Sequence, residues 1–455
     1  MDKSRIIKSI LILVILAVTL AVVNHPKQRR LNVILVVIDA LRYDHLSCYG
    51  YKRETCPNID ALAKKGALFT QAISQSSHTA PSVSSIMTSV MPNAHFVSGW
   101  GCKLNPKFST LSEILKSRGF KNAFFCGNKT FKIRGVPGME RGFDSFFVTS
   151  FNEKEITAKT IQFIRRNKNR QFFIYAHYMN THSPYIPSEQ FKDLFIDDNL
   201  YDEKRRLPIV KPSDGLYGYG GIPEYLSRQH MGITNPDYYI AKYDQGLRTV
   251  DEEIGTILKA LEACRLDKKT IFIITSDHGE MLGEKNLYFH HAIFLYEPLI
   301  RVPLIIRCDK IIPRNKVIKQ EVSASIDIMP TILDILGINN PGAIDGVSLL
   351  PLIRGKTSYP PPYVLADEGV IDKCIRTQEW KLDYIIREGR KEYGLYDLKN
   401  DPGESRGLPL AGKGESKLLK DKIDGYIQAK FKKGYASPLL SEDEKNSLRS
   451  LGYIQ

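Results

Sequence analysis

Much that would assign a function at a glance is missing from these 455 residues. The chain has no glycine-rich phosphate loop, RNA-binding signature or zinc-finger spacing, and no internal repeat. The seven cysteines (48, 56, 102, 126, 264, 308 and 374) form no C-x-x-C pair and no Cys/His cluster, which argues against a zinc ribbon. Their number is odd, so at least one thiol stays unbridged or pairs between chains, and spacing alone assigns no connectivity. The longest uncharged apolar run, Ser9 to Val23, is short of the ~20 residues of a spanning helix, although Ile6 and Ile7 extend it past a Lys8 able to snorkel, so a transmembrane signal anchor stays open. With 43% hydrophobic and 25% charged residues, the composition also lacks the extremes of a disordered, collagen-like or multi-span chain.

A formal charge of +14 is present, and a basic stripe is the usual footprint of nucleic-acid binding. Its placement argues otherwise. Lys3, Arg5, Lys8, Lys27, Arg29 and Arg30 stand against Asp2 alone, a balance of +5 within the first thirty residues. Between them runs Ser9 to Val23, without an ionisable side chain. Basic residues, an apolar core and then Asn24-His25-Pro26 have the layout of an export signal or signal anchor. Thr19-Leu20-Ala21 is a weak cleavage site, so the expectation is an uncleaved anchor with the catalytic mass outside the cytoplasm, or a secreted protein if the leader is cut. The remaining +9 suits an anionic ester, lipid headgroup or acidic glycan, and no nucleic-acid partner is expected.

Beyond the leader, LNVILVVI (Leu31 to Ile38) is a continuous β-branched run, the pattern of a strand buried on both faces of a parallel sheet. Similar runs recur at 122–126, 171–178, 270–275 and 302–307, separated by helical patterns after Pro57-Asn58, from Ser109, from Glu153 and from Tyr238. Strands alternating with helices predict an α/β sandwich with a mostly parallel central sheet, and ligands are then expected beyond the carboxyl ends of the strands. The irregular segment from Phe191 to Asn235 reads as a wall of the substrate cleft or a surface insertion. After Gly346 the texture changes to short strands and a charged helical tail. The expected organisation is therefore a leader over 1–30, a catalytic domain over 31–345 and a smaller α+β subdomain with its tail over 346–455.

Two strand ends carry chemistry. The first ends in Asp39, placed to hold a cation or to cap a helix. TIFIIT ends in Ser276-Asp277-His278-Gly279-Glu280, where an Asp oxygen and a His nitrogen side by side suit a divalent transition ion. Around these lie VILVVIDALRYDHLSCYGY, TCPNIDALAKKGALFTQAISQSSHTAPSVSSIMTS, TSDHGEMLGE, LYEPLIRVPLIIR, SIDIMPTILDILGI, DGVSLLPLIRG and YDLKNDPGE. In order and spacing, from about Leu31 to Gly407, these motifs closely resemble the sulfatase family of the alkaline-phosphatase superfamily. The resemblance implies an alkaline-phosphatase-like sandwich and a metal-dependent ester hydrolase.

Sulfatases carry their nucleophile in a Cys-x-Pro-Ser-Arg pattern, with the Cys converted to formylglycine. This chain has Thr79-Ala80-Pro81-Ser82-Val83. Thr cannot undergo that maturation, and the family's Arg is Val83. A Thr here resembles the phosphoethanolamine transferases and nucleotide pyrophosphatases, in which a metal-bound Thr attacks phosphorus. Thr79 also suits a helix N-terminus, a reading compatible with anion binding there. Carried over residue by residue, Asp39, Thr79, Asp277 and His278 match a one-metal site. Ala40 replaces the family's second Asp, which favours zinc or manganese over calcium or magnesium, and no Asp-x-x-x-His element of the two-metal enzymes is found.

The resemblance further implies that His182, in YMNTHSPY, contacts the ester and assists the leaving group, and that His291 or its neighbour His290 meets the substrate. Lys129 lies near a family substrate Lys, with a solvated surface role equally open. His177, within its strand, reads as core. Arg301, Asp345 and Asp397 read as structural. The expected activity is hydrolysis of sulfate or phosphate esters through a Thr nucleophile, phosphate esters and diesters being favoured because the formylglycine machinery is missing. Transfer of a phospho-alcohol group onto a lipid or cell-surface glycan is the second reading, and a catalytically silent anionic-glycan-binding protein the third.

Overall fold

A computed structural model describes residues 30–196, 198–211, 218–340, 342–356, 362–369, 372–387, 390–410 and 414–431. The expected leader falls almost wholly outside these residues, as does the end of the tail. Among the described residues no helix is long and apolar enough to cross a membrane.

The centre is an eight-stranded sheet. In chain order its strands are β1 (Asn32–Ile38), β2 (Ala67–Ile73), β3 (Lys121–Cys126), β4 (Ser145–Val148), β5 (Phe172–Tyr178), β6 (Thr270–Thr275), β7 (Arg301–Arg307) and β8 (Lys316–Ser323). They lie side by side as β8-β2-β7-β6-β1-β5-β3-β4. All neighbours run parallel except β7, which is antiparallel to both β2 and β6. The five apolar runs seen in the sequence are β1, β3, β5, β6 and β7. Three strands escaped that reading for a physical reason. β2 carries Thr70 and Gln71, β4 is four residues long, and β8 is an edge strand whose Lys316 and Lys319 are not buried, so none shows a continuous apolar run.

β1 shows why such a run implies a sheet covered on both sides. Val33, Leu35 and Val37 enter one hydrophobic layer, with Val83, Ile86 and Met87 of helix α2 (Thr79–Thr88) and Ile328 and Ile332 of a later helix, Ala324–Leu336. Ile34, Val36 and Ile38 enter the opposite layer, against α1 (Pro57–Lys64) and two longer helices, Glu153–Arg166 and Pro236–Ala263. Both faces of the strand are therefore dry.

A four-stranded antiparallel sheet follows, built from 364–368, 372–376, 380–387 and 390–397. Helix Gly414–Phe431 packs on it through Leu419, Ile423 and Ile427, so the charged tail buries an apolar stripe. This small sheet reaches back to the large one. Asp367 N–H donates to the Gln75 carbonyl, and the Glu368 carboxylate accepts from Ser76 Oγ and from Ser77 N and Oγ. It thereby ties down the loop that leads into Thr79.

Candidate active site

Every expected metal-site residue lies just beyond β1 or β6, or at the start of α2. Asp39, Thr79, Asp277 and His278 are each fully buried. Thr79 is the first residue of α2, and its hydroxyl caps nothing, the N-cap position being His78. Instead its Oγ1 lies 3.2 Å from His278 Nε2 and 3.5 Å from Asp39 Oδ2. His278 Nε2 is also 3.5 Å from Asp39 Oδ1 and 3.7 Å from Asp277 Oδ2.

The other edge of each ligand-type group is held by the protein. Asp277 Oδ1 accepts from the backbone N–H of Ala40 and of His278, at 3.3 and 3.0 Å. His278 Nδ1 lies 2.8 Å from the Gly279 carbonyl, which accepts its proton and leaves Nε2 as the lone-pair nitrogen. Asp39 Oδ2 receives His177 Nε2 at 3.0 Å. Asp39 Oδ1 and Asp277 Oδ2, by contrast, are buried with no hydrogen-bond partner. Two desolvated carboxylate oxygens without donors are costly unless a cation completes them. The separations of 3.2–3.7 Å are close to the edge of about 3.3 Å for a tetrahedron of 2.0–2.1 Å bonds. The residues therefore fit one divalent ion.

Electrostatics agree. Burial pushes the Asp277 carboxyl up, and the neighbouring Asp39 charge adds to it. Burial acts on Asp39 too, but His182, His177 and His278 outweigh it and hold that group well below the carboxylate range. For His278, burial is overcome by Asp277 and Asp39, and its pKa rises. Two carboxylates this close cannot both ionise cheaply without a cation.

His177 corrects the sequence reading. It was expected to serve core packing, yet it lies within the cluster: Asp39, His177 and Asp277 offer ligand-type atoms within 4.8 Å of one another. Its Nδ1 is 3.1 Å from the Tyr175 hydroxyl, so a Tyr175–His177–Asp39 chain orients the carboxylate. The available signal was one imidazole at the next-to-last position of an otherwise apolar strand. Asn128, whose Nδ2 is 3.5 Å from Asp39 Oδ2, also went unnoticed.

His182 and His291, two of the other histidines expected at the site, lie beside the cluster. His291 stacks on His278 with ring centroids 4.5 Å apart and meets His182 edge-on at 4.9 Å. Its Nδ1 is 3.1 Å from Glu280 Oε1, and Glu280 Oε2 accepts from the Tyr185 hydroxyl at 3.0 Å. Burial pushes the Glu280 carboxyl up to about 8, while burial and then His278 pull His291 well down. His290 stands farther out, 6.5 Å from the His291 ring, so His291 is the member of the pair that faces the cluster. His182 Nδ1 is held by the Ser183 carbonyl at 2.7 Å, and His182 lines a cavity of about 460 Å³ together with Lys129, Phe151 and Ile186. Tyr225, Gln229 and His230, from the irregular 191–235 segment, form another part of its wall. Arg301, Asp345 and Asp397 hold backbone groups: Arg301 donates to the Thr70 carbonyl, Asp345 accepts from Met91 N–H, and Asp397 from the N–H groups of Lys399 and Asn400.

Comparison with known proteins agrees with this geometry. The sulfatase family profile matches residues 31–338, and that of the N-sulphoglucosamine sulphohydrolase C-terminal region matches 283–427. An N-acetylglucosamine-6-O-sulfatase of Bacteroides thetaiotaomicron is 25% identical, over 88% of this chain and 87% of its own. Among solved structures, a 2-O GAG sulfatase superposes with a TM-score of 0.69 at 21% identity, covering 88% and 93% of the two chains. The phosphonate monoester hydrolase of Agrobacterium radiobacter does so at 0.66 and 18% identity, covering 89% and 96%. The chain belongs to the sulfatase family.

Proposed function

We propose that this sulfatase-family hydrolase uses Thr79 as its nucleophile and acts on phosphate monoesters or diesters in preference to sulfate esters. The observation that carries the reading is the position of Thr79 Oγ1 against His278 Nε2 and Asp39, at the start of a helix whose fifth residue is a buried Val83. No formylglycine can form from Thr, and no Arg stands at 83 to hold one. The N–H groups of Thr79 and Ala80 lack intrahelical partners by position and favour an anion in front of them. A divalent ion held by Asp39, Asp277 and His278, zinc or manganese by the nature of the donors, would lower the pKa of the Thr79 hydroxyl and offset the charge of the ester.

In this scheme the Thr79 hydroxyl gives up its proton to solvent and Oγ bonds to phosphorus as the bond between phosphorus and the alcohol oxygen breaks on the far side. His182, on the cavity wall, passes a proton to the departing alcohol oxygen. Glu280 fixes His291 at Nδ1, which places the ring to take a proton from the water that then releases the phosphoryl group from Thr79. Lys129 supplies an ammonium at the cavity for an anionic substituent on the alcohol side. The substrate is an anionic ester of a glycan, lipid headgroup or small molecule. The basic and apolar layout of the leader favours a catalytic domain anchored outside the cytoplasm.

The test is a parallel assay of an aryl sulfate, an aryl phosphate and a phosphodiester, with metals returned singly after chelation. Phosphate-ester turnover should fall at least about 10³-fold in Thr79→Ala while metal content is retained. A phosphoryl adduct on Thr79 should be trapped by acid quench and peptide mapping. Undiminished turnover by Thr79→Ala refutes the nucleophile; preference for the aryl sulfate refutes the substrate class.

A further inference from the structure

We propose that Cys48, Cys56 and Asp60 form a second metal site, for a thiophilic divalent ion such as zinc, separate from the candidate catalytic centre. The sequence spacing, C-x7-C-x3-D, resembles no ribbon or finger, and only folding brings the three together. Their ligand atoms lie within 4.8 Å of one another.

Two of the three come from one helix. Cys56 is the N-cap residue of α1 and Asp60 lies one turn later, so both side chains project from the same face. Cys56 Sγ is 3.3 Å from Asp60 Oδ1. The third, Cys48, sits in a tight turn, Ser47–Tyr49, that precedes the helix. Ser47 Oγ also approaches Cys56 Sγ, at 3.4 Å. The Cys56–Asp60 separation of 3.3 Å is slightly under the sulfur–oxygen edge of about 3.5 Å for a tetrahedron with zinc–sulfur bonds near 2.3 Å, and the Cys48 thiol lies within 4.8 Å of both groups. Cys48 and Asp60 are half-buried and line a surface cleft of about 300 Å³, which gives an ion a route in and a water a fourth position.

The donor set selects the ion. Two thiolates and one carboxylate favour a soft or borderline cation and disfavour calcium or magnesium. Binding releases two thiol protons to solvent and forms two metal–sulfur bonds and one metal–oxygen bond, with no change of oxidation state, so affinity rises with pH. A disulfide between the two cysteines is the competing chemistry. It gives the carboxylate at 3.3 Å no role, whereas a cation uses all three groups. Bound metal would pin the turn that follows β1 to the start of α1.

Cobalt(II) added to the reduced full-length protein separates the sites by colour. The candidate catalytic ligands are oxygen and nitrogen only, so a sulfur-to-cobalt charge-transfer band in the near ultraviolet reports the proposed site alone. One equivalent is expected to produce the band, and zinc to bleach it. Cys48→Ser should abolish it. Asp60→Asn should keep it with affinity about 10–100-fold weaker, and Thr79→Ala should leave it unchanged, which also makes this outcome independent of the nucleophile assignment. Absence of the band in reduced, folded protein overturns the proposal, as does a band that survives Cys48→Ser. Peptide mapping that finds a Cys48–Cys56 bridge, with no sulfur-to-cobalt band after reduction, overturns it in favour of the disulfide.

Discussion

Replacing His177 separates packing from positioning at the metal site. The imidazole is fully buried, donates from Nε2 to Asp39 Oδ2 at 3.0 Å and accepts the Tyr175 hydroxyl at Nδ1, 3.1 Å away. A hydrogen bond to a charged acceptor contributes about 1.5–3 kcal/mol, and a buried hydroxyl left without a partner costs about 1–3 kcal/mol. His177→Leu, which keeps most of the volume, should therefore lose roughly 3–5 kcal/mol of stability. It should also weaken metal binding by about 10–100-fold, the usual effect of removing a group that orients a ligand. His177→Gln, which can place an amide N–H near the position of Nε2, should recover part of both. Urea unfolding reads the first quantity, and competition with a chromophoric chelator reads the second. A His177→Leu protein that binds metal within a factor of two of the parent, with turnover intact, refutes the positioning role and returns His177 to the core.

Three further outcomes are expected from the same structure. Because Asp39 Oδ1 and Asp277 Oδ2 are buried without donors, manganese, which the thiolate-rich second site does not favour, should at a hundredfold excess over its dissociation constant stabilise the apo protein by about 2.7 kcal/mol in urea unfolding, and Asp277→Asn should abolish the response. Glu321, pushed up to about 7 by burial against the opposing pull of Arg376, has a folded pKa above its unfolded value near 4.5. Stability should accordingly fall by up to about 3 kcal/mol as pH rises from 4.5 to 7, and Glu321→Gln should flatten that slope when unfolding is compared at pH 5 and pH 8. In helix Pro236–Ala263, a Cβ on Gly246 would lie 2.0 Å from the Asn180 carbonyl oxygen, two residues before His182. Gly246→Ala should cost about 1–3 kcal/mol by overpacking, and a larger loss of turnover, up to about 10²-fold, as the His182 loop shifts; unchanged kinetics at lowered stability would dissociate that helix from the site.

What could be read from the sequence divides along a physical line. Strands dry on both faces, such as β1, β5 and β6, have no polar face to break their apolar runs, so five of the eight were visible, and with them the class of fold. β2 and β8 became strands through pairing across the sheet, which local composition does not report. The same limit explains the site. Asp39 and Asp277-His278 stood out because each follows a buried strand, where a charged group has little structural reason to be. His177 carried no such mark, since a histidine inside a strand is indistinguishable from a packed one until its neighbour's carboxylate is located. Cys48, Cys56 and Asp60 were invisible for the converse reason: each is unremarkable alone, and a turn followed by a helix start is needed to superimpose them.

The substitutions that set this chain apart from the common sulfatase pattern fit one another. Ala40 removes the second carboxylate, yet its backbone N–H is used, donating to Asp277 Oδ1 and leaving the other oxygen for an ion. His177 and Asn128 both approach Asp39 at Oδ2, leaving Oδ1 without a donor. Val83, in place of the Arg, is buried in the hydrophobic layer beneath α2, so nothing cationic from that helix faces Thr79. A site with fewer carboxylates and no guanidinium depends more on its ion and its histidines for charge. A phosphate ester carries more negative charge than a sulfate ester and would gain correspondingly more from a divalent ion, which is the physical ground on which we propose it as the preferred substrate.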